Sequence, residues 1–113
     1  MQNQMKKNMA IKVIIPEEIK HNITQKQIDI VLKDLEETPQ YDKVIYACRY
    51  KGVDAFEVTW EGRPRYCGCP LFIMVYPSGK TEWLQDIDSW IALIDEARNQ
   101  APSVFPPFVR HSK

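Results

Sequence analysis

The chain has 113 residues, of which 44% are hydrophobic and 27% are charged, and its 15 basic and 15 acidic side chains give a formal net charge of zero. This length and composition are typical of one globular domain. The balanced charge argues against a dedicated nucleic-acid binder, because such proteins need an excess of cations to neutralise phosphates. No apolar run approaches the ~20 residues that span a bilayer, and an odd number of cysteines, three, fits a reducing compartment. We therefore expect a cytoplasmic, single-domain protein without a membrane segment.

The N-terminal part of the chain begins with a polar stretch. Residues 1–10 are expected to be a flexible lead-in to one domain that covers residues 11–99. Ile11–Ile15 is a β-branched run that stops at Pro16, which makes it a candidate for a short extra strand at an edge of the sheet.

The first predicted helix covers Gln25–Glu37. Thr24 and Gln27 have the spacing of a capping box, in which side chains and backbone amides at the start of a helix satisfy each other. Four apolar residues follow at helical spacing and form one stripe: Ile28, Val31, Leu32 and Leu35. The residue before a proline avoids helical angles, so Thr38-Pro39 predicts the end of the helix.

Two β-rich segments, Lys43–Tyr50 and Val53–Trp60, are separated only by Lys51-Gly52, which predicts a hairpin with a two-residue turn. An unbroken register gives one amphipathic face with the pairs Tyr50–Val53, Cys48–Ala55, Tyr46–Glu57 and Val44–Thr59. The opposite face then carries the pairs Arg49–Asp54, Ala47–Phe56 and Ile45–Val58. This second face is the more apolar one, and we expect it to point toward the core.

A second hairpin is predicted from Leu71–Tyr76 and Lys80–Leu84, joined by a turn at Pro77-Ser78-Gly79. The six consecutive apolar residues of its first strand indicate burial on both faces. Gly79-Lys80-Thr81 has the appearance of a phosphate-binding loop, but Met74 stands where that motif needs its first glycine. We therefore interpret this segment as a hairpin turn.

The last predicted helix runs from about Ser89 to Asn99, with an apolar stripe, and is followed by a proline-rich but apolar tail over residues 100–113 that we expect to be docked. The order α-β-β-β-β-α predicts an α+β fold. In it, a four-stranded antiparallel sheet made of two sequential hairpins is flanked by an N-terminal and a C-terminal helix. The simplest packing places both helices on one face of the sheet.

The loop Glu61–Pro70 contains Cys67-Gly68-Cys69, and Cys48 on the neighbouring hairpin is a candidate third participant. Such thiols could form a reducible disulfide, with Arg63 and Arg65 favouring the thiolate, or could bind a soft metal ion. The chain lacks the second ligand pair of a closed zinc site, which argues against metal. The interpretation that the sequence favours is that these cysteines are small apolar residues leading into a buried strand.

No catalytic constellation and no cofactor motif is present in the sequence. The leading hypothesis is therefore a small non-enzymatic interaction module of accessory, inhibitor or immunity type, whose partner is another protein or a second copy of itself. The alternative is thiol-based redox or metal binding at Cys67 and Cys69. The candidate partner-binding residues come from the amphipathic sheet face, the loop and the tail: Tyr46, Tyr50, Arg63, Arg65, Tyr66, Phe105 and Phe108.

Overall fold

The computed structural model describes residues 11–62, 71–84 and 87–105. Its elements follow one another in the order β1 (Lys12–Ile14), α1 (Gln25–Leu35), β2 (Lys43–Tyr50), β3 (Val53–Thr59), β4 (Leu71–Val75), β5 (Thr81–Leu84) and α2 (Ile87–Gln100). A short 3-10 segment, Glu17–Asn22, precedes α1. The five strands form one sheet in their chain order, and the chain has the mixed α+β organisation that the sequence predicts.

Because of its first strand, β1, the sheet contains both parallel and antiparallel pairs of strands. β1 pairs in parallel with β2, with Val13 opposite Val44, whereas β2 to β5 are antiparallel to their neighbours. Within the described part of the chain the sheet therefore has five strands and one parallel pair, whereas the basic prediction had four antiparallel strands. Parallel neighbours need a long connection, and the segment that contains α1 provides it.

A bulge at Ala47 changes the predicted register of the first hairpin. The pairs nearest the turn follow the prediction: Tyr50–Val53, Arg49–Asp54 and Cys48–Ala55. Beyond Ala47 the pairs are Tyr46–Phe56, Ile45–Glu57, Val44–Val58 and Lys43–Thr59. The predicted pairs Tyr46–Glu57, Ala47–Phe56, Ile45–Val58 and Val44–Thr59 are therefore wrong. One extra residue in a strand shifts the pairing beyond it by one and turns the following side chains to the other face.

Both faces of the sheet are covered, one by each helix. On one face Val31 and Leu35 of α1 pack with the sheet residues Val44, Tyr46, Phe56, Val58, Ile73 and Val75. On the other face Leu93 and Ala97 of α2 pack with Ala47, Cys48, Ala55, Phe72 and Met74. The prediction that both helices share one face is therefore wrong. β4 contributes to both clusters because its side chains alternate and all of its residues are apolar.

The helix ends are explained by local hydrogen bonds. The backbone amide of Thr24 donates to Gln27 Oε1 at 3.0 Å, as the capping box predicts. At the other end, the Glu36 and Thr38 amides donate to carbonyls three residues earlier, at 3.2 and 3.0 Å. These hydrogen bonds span three residues, as in a 3-10 turn, and α1 ends at Leu35, two residues before the predicted end.

The chain after α2 stays close to the domain as far as residue 105. Phe105 packs against both apolar clusters, and its amide donates to the Ala101 carbonyl at 2.9 Å. The amide and hydroxyl of Ser103 donate to the Glu18 carboxylate at 2.9 and 2.7 Å. Residues 106–113 lie outside the described part of the chain, so docking of the whole tail stays a prediction. None of the helices described is long and apolar enough to cross a membrane.

Candidate functional site

Three segments of the chain lie at one end of the sheet and line a cleft of about 390 Å³, which we call the hairpin-end cleft. They are the start of α1, the turn between β2 and β3, and the turn between β4 and β5. Lys26 and Ile30 line the cleft from α1, Arg49 and Asp54 from the first hairpin, and Tyr76 and Pro77 from the second. The cleft is therefore lined by cationic, aromatic and apolar residues from separate parts of the sequence.

Arg49 is held in a fixed position at this cleft. Its Nε donates to Asp54 Oδ1 at 2.9 Å, and its Nη2 donates to the Asn22 carbonyl at 2.7 Å and to Asp54 Oδ2 at 3.4 Å. Only 7% of the Asp54 side chain is exposed, against 41% of the Arg49 side chain. The carboxylate thus lies inside and the cation at the mouth of the cleft. A fork-shaped guanidinium bound this way loses little further freedom on meeting a ligand.

The backbone of Arg49 is held as firmly as its side chain. Its amide donates to Gln100 Oε1 and its carbonyl accepts from Gln100 Nε2, both at 3.0 Å. The same Nε2 donates to Glu96 Oε1 at 2.9 Å, which holds the Gln100 side chain in place on α2. The end of the hairpin is therefore bound both to α2 and to the 3-10 segment that precedes α1.

Tyr46 lies in the core, where it cannot contact a partner. Its exposed fraction is 0%, its hydroxyl donates to Asp54 Oδ1 at 2.6 Å, and its ring lies 5.1 Å from that of Phe56. Burial, together with the hydrogen bond to Asp54, raises the pKa of Tyr46 well above its usual range. This corrects the assignment of Tyr46 to a contact surface. The bulge at Ala47 turns the side chain from the predicted amphipathic face to the face that α1 covers.

Two other tyrosines lie near the surface at the same end of the sheet. Tyr76 is 36% exposed, and its hydroxyl donates to Glu82 Oε1 at 2.7 Å, a hydrogen bond that raises the pKa of Tyr76. Tyr50, a predicted contact residue, is half-buried, and Lys51 Nζ lies 5.3 Å from the centre of its ring. Tyr76 was not among the predicted contact residues, because the sequence places it only at the end of an apolar strand.

Cys48 has the environment of a core residue. It is buried beneath α2, with Sγ 3.8 Å from the Leu93 carbonyl oxygen. Burial, with a smaller contribution from the negative charges of Glu96 and Asp54, raises the pKa of Cys48 to about 12. Reactive cysteines need a lowered thiol pKa, so this environment opposes a role of Cys48 in thiol chemistry.

The other predicted site residues are placed as follows. Phe105 packs against the core of its own chain. The remaining ones lie outside the described residues: Arg63, Arg65, Tyr66, Cys67, Cys69 and Phe108. Within residues 11–62, 71–84 and 87–105, no group of three or more His, Cys, Asp or Glu side chains is arranged to hold a metal ion.

One signal for this site was present in the sequence. Asp54 stands between the apolar residues Val53 and Ala55 of a predicted strand, and a carboxylate that is buried there needs a partner. The predicted hairpin register supplies Arg49 as that partner, and the structure confirms the pair. Lys26 and Tyr76 carried no comparable signal, because their proximity depends on the tertiary fold.

Comparisons of this chain with protein-family models, curated proteins and solved structures gave no match.

Proposed function

We propose that this protein is a small cytoplasmic interaction module, without a catalytic step, that binds a partner protein at the hairpin-end cleft. The observation that carries the proposal is the cleft of about 390 Å³ built by three separate segments around Arg49 and Tyr76. Sites that accept ligand groups have volumes of roughly 300–1,000 Å³. The cleft is thus large enough to receive a few side chains of a partner.

The rigidity of the cleft supports binding. The Arg49 side chain is fixed by Asp54 and by the Asn22 carbonyl, and its backbone is fixed by Gln100. Association loses free energy when side chains must be ordered, by roughly 0.5–1.5 kcal/mol for each long side chain. An arginine that is already ordered in the free protein avoids much of this cost.

The residue types around the cleft also support a protein partner. Tyrosine and arginine are enriched at the centres of protein interfaces, where they supply contact area and hydrogen bonds together. Tyr76 lies partly exposed beside Pro77, and Ile30 adds an apolar wall from α1. An interface needs this combination of an apolar centre with a few fixed polar groups.

The cytoplasmic part of the proposal is supported by the cysteines. The chain has three, and Cys48 is a free thiol buried in the core. Proteins of oxidising compartments commonly use their cysteines in disulfides, whereas a buried free thiol suits a reducing compartment. Redox or metal chemistry at Cys67 and Cys69 stays a prediction from the sequence, and the buried position of Cys48 gives it no support.

Site-specific photo-crosslinking tests the proposed function. A photoreactive amino acid replaces Tyr76 in one variant and Ile91 in another, and both are exposed to extracts of the source cells. Ile91 is the control because it is 48% exposed and lies on α2, outside the lining of the cleft. We expect the Tyr76 position to crosslink a defined protein that the Ile91 position does not.

A substitution makes this test quantitative. Tyr76→Ala is expected to reduce the amount of that protein co-purified by about tenfold or more, the usual effect of removing an aromatic at the centre of an interface. Ile91→Ala is expected to leave it unchanged. Crosslinks that are the same at both positions, or co-purification that does not depend on Tyr76, would contradict the proposal.

A further inference from the structure

We infer that the hairpin-end cleft receives an acidic segment of the partner, whose carboxylates pair with Arg49 and Lys26. This inference rests on the proposed function and adds the chemical class of the bound segment. It depends on the charges that line the cleft, on the hydrogen bonds already made by the arginine, and on the apolar residues beside them.

The cleft has an excess of positive charge. The charged side chains that line it are Lys26, Arg49 and Asp54. The Asp54 carboxylate is buried and already accepts hydrogen bonds from Arg49 and Tyr46. Its negative charge is therefore compensated by the Arg49 guanidinium. Lys26 is exposed and forms no ion pair with any described residue. One positive charge therefore faces the cleft without a counter-charge, beside a guanidinium that still has free donors.

Asp29 and Glu82 do not supply that counter-charge, because neither forms an ion pair with a described residue. Asp29, on the first turns of α1, accepts a hydrogen bond from Gln25 Nε2 at 2.9 Å. Glu82 accepts the hydroxyl of Tyr76 at 2.7 Å and lies on β5, outside the lining of the cleft. Both carboxylates accept hydrogen bonds from neutral donors, and neither forms an ion pair with Lys26 or Arg49, so the positive charge of the cleft is available to a ligand.

Arg49 lines the cleft and has donors that no described residue occupies. Nε and Nη2 are occupied by Asp54 and the Asn22 carbonyl, whereas Nη1 makes no hydrogen bond to the described residues. Nη1 carries two N–H groups, and charge-assisted hydrogen bonds to a carboxylate or phosphate are about twice as strong as neutral ones. Because Asp54 and Asn22 fix the plane of the guanidinium, these donors point in a set direction before any ligand arrives.

The apolar lining indicates a polypeptide as the source of the anion. Ile30, Val75 and Pro77 line the cleft together with the two cations. A free inorganic anion gains nothing from such a wall, whereas an acidic segment with apolar neighbours fills it. The formal net charge of zero also argues against a nucleic-acid backbone as the source, because such binding needs an excess of cations. An acidic peptide with apolar neighbours therefore fits both the charge and the apolar lining of the site.

Fluorescence anisotropy with matched peptides tests the inference. The probe is the fluorescently labelled pentapeptide acetyl-Leu-Asp-Glu-Asp-Phe-amide, and its matched control replaces the three acids by Asn, Gln and Asn. We expect the acidic peptide to bind at least about tenfold more tightly than its neutral control, and its binding to weaken as salt is added. A phosphoserine peptide and duplex DNA distinguish phosphate and nucleic acid from carboxylate.

Charge reversal identifies the binding site. Lys26→Glu is expected to weaken binding of the acidic peptide by about tenfold or more. Lys33→Glu makes the same change on an exposed position of α1 outside the lining of the cleft, and is expected to have little effect. In NMR titrations of the unmodified protein, we expect the acidic peptide to shift the Arg49 Nε–Hε signal and the amides of Gly52 and Gly79, which line the cleft.

Four results would overturn the inference. They are equal binding of the acidic and neutral peptides, equal effects of Lys26→Glu and Lys33→Glu, no shift at the cleft with millimolar acidic peptide, and tighter binding of DNA than of peptide. If partner crosslinking still depends on Tyr76, such a result rejects only the acidic character of the segment. If crosslinking at Tyr76 also fails, the proposed function falls with it.

Discussion

Asp54 shows how a single charged side chain is accommodated inside this sheet. The residue is 5% exposed, and its carboxylate accepts hydrogen bonds from the Tyr46 hydroxyl and the Arg49 guanidinium. Removing a carboxylate from water costs several kcal/mol unless a partner compensates it. Here the partner cation stays partly in solvent, so only one member of the pair loses most of its hydration.

The substitution Asp54→Asn tests the stabilising role of this network. We expect it to lower the free energy of unfolding by about 2–3 kcal/mol, because Arg49 loses its counter-charge and an amide cannot accept all the hydrogen bonds of a carboxylate. Urea denaturation measures the change. Asp95→Asn, at an exposed position of α2, is the control and should change stability by less than about 0.5 kcal/mol. Equal stabilities of the two variants would show that the network is dispensable for folding.

At the scale of elements, the hairpin of β2 and β3 determines most of the architecture. Its bulge at Ala47 turns Tyr46 toward α1, whereas Ala47 and Cys48 lie on the side of α2. Its turn uses positive φ at both positions, 53° at Lys51 and 79° at Gly52. This is the pattern of a type I′ turn, which matches the twist of the flanking strands.

Substitutions at the two turn residues are expected to change the free energy of unfolding in opposite directions. Lys51→Asn is expected to raise the free energy of unfolding by about 0.5 kcal/mol, because asparagine tolerates positive φ better than lysine. Gly52→Ala is expected to lower it by about 1–2 kcal/mol through backbone strain alone, because a Cβ at this position would meet no atom within 4 Å. Thermal and urea denaturation measure both. A Gly52→Ala variant as stable as the parent would contradict the turn conformation.

At the scale of the whole molecule, the segment after α2 connects the two cores. Ala101 belongs to the cluster on the α1 side of the sheet, although it directly follows the helix that covers the other side. Phe105 packs against both clusters, and Ser103 is bound to Glu18 near the start of the chain. Packing shared between two layers makes their unfolding interdependent.

Truncation of Phe105 tests this connection. Phe105→Ala is expected to lower the free energy of unfolding by about 2–3 kcal/mol, because a large ring that contacts both clusters leaves a cavity. Val104→Ala is the control, since Val104 belongs to neither cluster, and a loss below about 1 kcal/mol is expected. Unfolding followed by near-UV circular dichroism gives both values. A Phe105→Ala variant that is as stable as the parent would mean that the segment after α2 adds little to stability.

The sequence by itself determined the secondary elements, because their signals are local. The capping residues Thr24 and Gln27, the two-residue turn at Lys51-Gly52 and the turn before Gly79 all act within a few positions of the chain. The predicted helices and strands accordingly agree with the observed bounds to within two residues. The Arg49–Asp54 pair was predictable for the same reason, since only a turn separates its members.

Only the tertiary structure decided how these elements combine. The parallel position of β1, the shift of register at Ala47 and the opposite sides of the two helices depend on contacts between distant residues. A small side chain such as that of Ala47 fits either face, so an alternating pattern does not reveal a bulge there. The hairpin-end cleft has the same origin, because Lys26, Arg49 and Tyr76 meet only when three separate connections fold to one end of the sheet.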